Sequence, residues 1–317
     1  MTTDASTAKL EQVRTDLIDR NPENPRLVFR PGELENLLES IRVYGVQVPI
    51  SVYKQGRRYL LIDGERRWRC SLKLNRSTIP ALVQPKPDAL ENLLLMFNIH
   101  SLREQWDLLT IALKLPRVIT LLAQKLEKEP TEREISEQTG LNLSNIRRCK
   151  LLMELPQEYK DQILDELNKP KAQQKITEDL FIEMERALKT VERAMPDVIP
   201  NKDTVRRVLL KKYKKGVIDN RVHFRDMAKI ARAKNVGYDL EAAEKELRRL
   251  FTDNDYSIEQ AFLNSVGEAY RERDVGSRVS TILNLLEEMD PDELDDDLKA
   301  KLLKLFERLK EILQGEL

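Results

Sequence analysis

The sequence predicts an α+β N-terminal domain followed by a mostly α-helical remainder that contains a helix-turn-helix. Three observations carry that expectation. Short β-branched or apolar runs bounded by turn residues occur almost entirely before Pro87. Beyond it, apolar residues recur at helical spacing almost to the C-terminus. The 317 residues include only 10 glycines and 5% aromatics but 34% charged residues, a composition of helices with solvated faces.

The elements follow in order. Residues 1–14 are polar and are expected to be loose. A first domain is expected over 17–86. It opens with the turn-rich loop Asn21-Pro22-Glu23-Asn24-Pro25-Arg26. Apolar residues at 34, 37, 38 and 41 predict a helix over Glu33 to Tyr44, with Gly45 as its C-cap. Val48 to Val52 and Arg58 to Ile62, separated by Gln55-Gly56, predict a hairpin. Gly64 breaks the second strand, Glu65 to Leu74 reads as a helix, and Ile79 to Gln84 as a further strand. A second, helical domain is expected over 87–165, with helices at Ala89 to His100 and Glu104 to Glu127 and two short ones within Thr131 to Leu155. A third region, 166–317, stays helical, with breaks near Pro170, Pro196 to Pro200, Gly216, Gly237 and Asp290-Pro291.

Bulk properties exclude several classes. Cys70, Cys149, His100 and His223 suggest neither a disulfide framework nor a zinc site. The start, MTTDASTAKLEQVR, has no apolar signal core, and no stretch of 18 apolar residues occurs. A cytoplasmic protein is expected. The formal net charge is zero, so a nucleic-acid site must come from local basic patches.

Asp63-Gly64-Glu65-Arg66-Arg67 is a phosphate-binding candidate. A helix N-terminus offers backbone N–H groups and partial positive charge to an anion. Gly64 permits a tight turn and close backbone approach. Arg66, Arg69 and Lys73 share one helix face, and Arg66 and Arg67 each offer a guanidinium fork. Trp68 and Leu72 are expected to turn towards the core. The alternative is a surface basic helix in ordinary ion pairs. The chain has no Walker motif.

Asn24-Pro25-Arg26, then Gly45-Val46-Gln47-Val48-Pro49-Ile50, then Asp63-Gly64-Glu65-Arg66-Arg67-Trp68-Arg69-Cys70, taken in that order, resembles the N-terminal domain of the ParB family, whose fold the sulfiredoxins share. The resemblance implies a switch worked by cytidine triphosphate (CTP) with Mg²⁺. It puts Gln47 and Ile50 near the base and ribose, and Gly64, Glu65, Arg66 and Arg67 around the phosphates. It implies a homodimer that binds DNA, becomes nucleoid-associated when bound, and works with a partner ATPase. The family's second motif, usually Glu-Asn-x-x-Arg, corresponds here to Phe97-Asn98-Ile99-His100-Ser101-Leu102-Arg103-Glu104. Asn98 then becomes the residue that helps hold the nucleotide and its metal. Phe97 replaces the acid and the arginine is displaced to Arg103, which weighs against hydrolysis and leaves at most a weak CTPase. Gln47-Val48-Pro49-Ile50 also carries one residue more than the usual Gln-Pro-Ile. Cys70 reads as a packing residue, since a sulfiredoxin-like cysteine belongs at the turn itself. Cys149 also reads as a packing residue, on the apolar side of its helix.

Thr131-Glu132-Arg133-Glu134 is a capping box. Thr139-Gly140-Leu141 makes a turn, Ser144 reads as a second N-cap, and Ile146, Cys149 and Met153 keep helical spacing. This is the helix-turn-helix pattern, whose second helix enters the major groove N-terminus first. Asn142, Ser144, Asn145, Arg147 and Arg148 cluster at that leading end, as side chains that meet base edges or phosphates. An ordinary helical hairpin is the alternative. Glu134 through Pro156 also resembles the central helix-turn-helix of the ParB family. Two further readings stay open: a DNA-binding regulator indifferent to nucleotide, and a nuclease or small-molecule kinase on the same fold, with Asp63 and Glu65 as its acids.

Further on, Arg206-Arg207, Lys211-Lys212 and Lys214-Lys215 put six basic residues in ten, expected as a solvated helix face. Residues 287 to 297 hold eight acids among eleven, expected as a solvated loop or helix start. Val279, Ile282, Leu286 and Met289, then Leu298, Leu302, Leu305, Leu309 and Ile312, predict a helical hairpin with apolar stripes suited to self-association.

Overall fold

The computed structural model describes residues 8–24, 31–101, 107–290 and 294–313. The chain divides into two compact units, residues 1–186 and 187–317.

The first unit begins with five strands and two helices. The strands are β1 (Lys9–Arg14), β2 (Ile18–Asp19), β3 (Ile50–Gln55), β4 (Arg58–Asp63) and β5 (Thr78–Gln84); the helices are α1 (Pro31–Tyr44) and α2 (Glu65–Lys73). The sheet runs β1-β5-β3-β4-β2. β1 pairs antiparallel with β5, and β3 with β4; β3 and β5 run parallel, as do β2 and β4. The expected loose start is therefore corrected from Lys9 onward. Polar β1 forms an edge strand because its backbone finds the open side of β5, a partner its own composition does not announce. α1, α2, β4 and β5 form where the spacing predicts them, whereas the first hairpin strand is displaced from 48–52 to Ile50–Gln55.

Both sheet faces are covered. Val13, Ile18, Ile50, Val52, Leu61, Ile79 and Ala81 form one core layer, against which Trp68 of α2 packs. Tyr53, Ile62 and Met96 form the other, with Leu95 and Ile99 of α3 (Ala89–Ser101) beside them. The central strands β3 and β4 hence carry apolar side chains on both faces, Val52 and Leu61 on one and Tyr53 and Ile62 on the other. Burying a side chain such as Ile50 or Leu61 stabilises the domain by roughly 1.5–3 kcal/mol. Trp68 faces inward as expected and donates its indole N–H to Thr15 O at 3.0 Å. Leu72 does not face inward: it is exposed, because Trp68 is the α2 side chain that packs on the layer beneath.

The rest of this unit is helical: α4 (Leu108–Leu126), α5 (Glu132–Thr139), α6 (Leu143–Met153), α7 (Gln157–Leu167) and the start of α8 (Glu178–Ala194). α4 packs along α6 through Ile111, Leu115 and Leu122 of one and Ile146, Cys149 and Leu152 of the other, all buried.

The second unit contains α9 (Lys202–Lys215), α10 (Phe224–Ile230), α11 (Leu240–Thr252), α12 (Ile258–Leu263), α13 (Gly267–Glu287) and α14 (Asp296–Leu313). The basic run on α9 is not wholly a solvated face. Arg206 and Lys212 are buried, and the Lys212 ammonium donates to Leu250 O and Tyr256 O, both at 2.5 Å. Tertiary carbonyls take the place of water there. Beyond Tyr270, α13 is exposed almost throughout, as is α14. No helix of the described residues is long and apolar enough to cross a membrane.

Candidate functional site

The candidate cavity lies where β4 turns into α2. Its volume is about 250 Å³. Asn24, Leu37, Ser40 and Ile41 line one side, Gly45, Val46, Gln47 and Val48 the rim, and Asp63, Gly64, Glu65, Arg66 and Arg67 the other side. Gly64 is the N-cap of α2 at φ 95°, a left-handed conformation open to glycine and costly for other residues. A Cβ there would lie 2.5 Å from Ile50 Cγ2 and 2.9 Å from Arg67 Nη2. The position is therefore closed to any side chain, and the backbone itself lines the cavity. The first intrahelical hydrogen bond runs from Trp68 N to Gly64 O, so the amides of Glu65, Arg66 and Arg67 belong to the N-terminal turn, the end of a helix that suits an anion.

The charged side chains are arranged by their neighbours. Arg67 bridges Asp63 at 2.7 Å and donates to Val48 O at 2.9 Å, tying the 45–48 rim to α2. Glu65 is buried. Its Oε1 accepts from Arg69 Nε and Nη2 at 2.9 and 2.6 Å and lies 3.3 Å from Arg20; its Oε2 accepts from Asn24 at 2.7 Å. Glu65 is a latch on the 20–24 segment. That segment continues away from the cavity: Asn21 donates to Asn92 of α3 at 3.0 Å, and Lys114 of α4 donates to Pro22 O at 2.9 Å.

Of the residues expected around a nucleotide, Gln47, Gly64, Glu65, Arg66 and Arg67 line this cavity. Gln47 donates its amide to Tyr44 O. Ile50 is fully buried beneath Gly64. Asn98 is not among the lining residues; its amide donates to Leu94 O and Gln138 O at 3.0 and 3.1 Å. Phe97 is fully buried, so an acid at that position would meet apolar surroundings. Arg26 and Arg103 lie outside the described residues, and the side chain of His100 does too. Cys70 is buried against α1, its Sγ 3.7 Å from Leu34 O, and burial pushes its thiol up. It is a packing residue, not a thiolate.

The contributions of Ser40, Leu37 and Asn24 were not legible in the sequence. Asn24 reads locally as a turn residue, and its contact with Glu65 spans 41 residues. Among the described residues no group of three or more His, Cys, Asp or Glu side chains could hold a metal ion.

The second candidate surface is α5 and α6. Thr131 accepts from Glu134 N at 3.2 Å and Glu134 accepts from Thr131 N at 2.8 Å, the expected capping box. Lys128, together with donation from the Thr131 N–H and hydroxyl to Glu134 Oε2, holds the Glu134 carboxyl down at about 2. Gly140 ends α5 at φ 72°. The N-cap of α6 is Asn142 and not Ser144: Asn142 is extended and accepts from Asn145 N at 2.7 Å, which leaves Ser144 inside the first turn. Asn142, Ser144 and Arg147 are exposed at this end, while Asn145 and Arg148 are half-buried. Arg148 is paired with Asp179 of α8, and Arg147 with Glu132 of α5. Cys149 is fully buried, and burial pushes its thiol up to about 12.

Residues 1–97 match the family model of the ParB N-terminal domain. A probable chromosome-partitioning protein ParB of Pseudomonas putida is 34% identical over 154 residues, 48% of this chain and 50% of the relative. The chain spans about half the length of the curated relatives it matches. Two solved structures are of C-terminally truncated ParB from Caulobacter crescentus. The one complexed with CTP-γ-S is 29% identical, with a TM-score of 0.29, over 50% of this chain and 85% of that one. The one complexed to the centromeric parS site is 21% identical, with a TM-score of 0.42, over 70% and 98%.

Proposed function

Residues 1–97 belong to the ParB N-terminal domain family, and from that premise we propose that the chain is a ParB-like DNA-binding protein, a CTP-dependent clamp or switch in DNA partition or regulation. The observation that carries this reading is one cavity that brings Gln47 of the rim together with the Gly64–Arg67 helix start. The curated relatives named for chromosome partition supply the biological setting.

In this reading the residues divide by task. The α2 amides with Arg66 and Arg67 hold the phosphates, and Gln47 with the rim approaches the base. Asp63 and Glu65 are engaged with arginines, so Mg²⁺ would rely on the nucleotide's own phosphates for its negative charge. Asn98 would serve the nucleotide only after leaving Leu94 O and Gln138 O. Hydrolysis has no support at the buried Phe97. The region 17–86 is then the nucleotide domain and 87–165 the DNA domain, with Asn142, Ser144, Asn145, Arg147 and Arg148 meeting the duplex. The exposed apolar side chains of α13 and α14, among them Val279, Ile282, Leu305 and Leu309, fit self-association of 166–317 as a homodimer. Action on the nucleoid with a partner ATPase belongs to the same proposal.

A second reading, DNA binding that ignores nucleotide, is favoured by one feature: Arg67 already has protein partners in Asp63 and Val48 O. Calorimetric titration with CTP and ATP, with and without Mg²⁺, separates the two. Binding of CTP that is lost in Arg66→Ala supports the switch. No heat with either nucleotide at millimolar concentration, alongside intact DNA binding, leaves the second reading.

A further inference from the structure

The cations around the helix-turn-helix are already matched by acids. Lys128 pairs with Glu134 at 2.6 Å, Arg133 with Glu137 at 3.0 Å, and Arg148 with Asp179. Glu132 stands apart, because it holds two cations of α6 at once. Its Oε2 accepts from Arg147 Nε at 2.8 Å and its Oε1 from Lys150 Nζ at 3.1 Å. Both cations are open to solvent, with side chains 65% and 40% exposed. Its backbone is anchored: Glu132 is the first residue of α5, directly after Thr131 of the capping box. Each cation loses its best acceptor if it moves to a DNA phosphate, and one carboxylate ties the two together. This matches a chain whose formal net charge is zero, in which no general field draws DNA in.

We propose that Glu132 is a specificity-determining residue that withholds Arg147 and Lys150 from the phosphates of random duplex, so that α6 holds poorly to DNA it does not read. The proposal rests on the reading of α6 as the DNA-contacting helix. In wild-type protein on random duplex the two cations stay on Glu132. In Glu132→Gln they are free to neutralise about two more phosphates, and the salt slope steepens by about 1.8.

The test measures binding of a labelled random-sequence duplex to the full chain by fluorescence anisotropy between 50 and 200 mM salt. Glu132→Gln binds more tightly than wild type at 50 mM, and its advantage shrinks about tenfold by 200 mM. Lys150→Ala changes wild-type affinity less than about twofold but cancels part of the gain in the Glu132→Gln background. Parallel salt lines for wild type and Glu132→Gln overturn the proposal. A loss of about one unit of salt slope from Lys150→Ala alone also overturns it, and that measurement stands even if Glu132→Gln folds poorly. Absence of duplex binding by the wild-type protein at 50 mM would instead remove the DNA-contacting reading itself, and this inference with it.

Discussion

Gly64 sits directly on Ile50: a Cβ built at position 64 would lie 2.5 Å from Ile50 Cγ2, within a sheet layer that has no room to retreat. The close approach brings the α2 N-terminus down onto β3 and opens the cavity above it. Gly64→Ala must therefore strain the φ of 95° or push Ile50. It is expected to lower stability by about 1–3 kcal/mol and to abolish phosphate affinity. Chemical denaturation and nucleotide titration check the two halves separately. A variant as stable as wild type would show that the turn relaxes without cost.

Glu65→Gln should loosen the latch on residues 20–24. Fully buried ion pairs cost roughly 3–5 kcal/mol to break, and here about 2 kcal/mol is expected, because Arg20 and Arg69 keep contact with water. Amide hydrogen exchange should quicken over 20–24 and in the first turn of α2. Unchanged exchange in those segments would mean that Asn24 holds the loop without the carboxylate.

Glu178 caps α4 from α8, its Oε1 accepting from Leu109 N at 2.6 Å. Burial, with Asp107 adding to it, raises its carboxyl from 4.5 to about 7. The folded state then binds this proton more tightly than the unfolded state. The stabilising contribution is full below about 4.5 and is lost as pH rises to about 7. Unfolding free energies of wild type and Glu178→Gln should diverge across that window, with wild type the loser, and run parallel above it. A difference that does not vary with pH would refute the assignment.

Lys212 joins α9 to the end of α11 and the start of α12 through Leu250 O and Tyr256 O. Burial pushes its ammonium down to about 8. Lys212→Met keeps most of the volume but strands two carbonyls, at a cost of about 2 kcal/mol. Amides over 250–258 should lose exchange protection before the rest of residues 187–317. If protection falls evenly instead, Lys212 is not a local clamp.

What the sequence by itself determined is what neighbours along the chain decide. The hairpin, the Gly64 turn, the Thr131–Glu134 capping box and the α5–α6 pair each depend on residues within a few positions. Short-range sterics and capping hydrogen bonds leave their trace in residue type. Tertiary structure decided everything that depends on a distant partner. Polar β1 became a strand because β5 had an open edge. Lys212 left the solvated face for carbonyls 38 and 44 residues away, and Leu72 was turned out because Trp68 took the place on the layer. Asn24 and Arg20 converged on Glu65 across more than 40 residues. The Asp63–Arg67 run announced a candidate anion site through its glycine and helix start. Which of its charges are already spoken for was decided only when the fold brought Val48, Asn24 and Arg20 beside it, since a charge's availability depends on partners that local sequence does not specify.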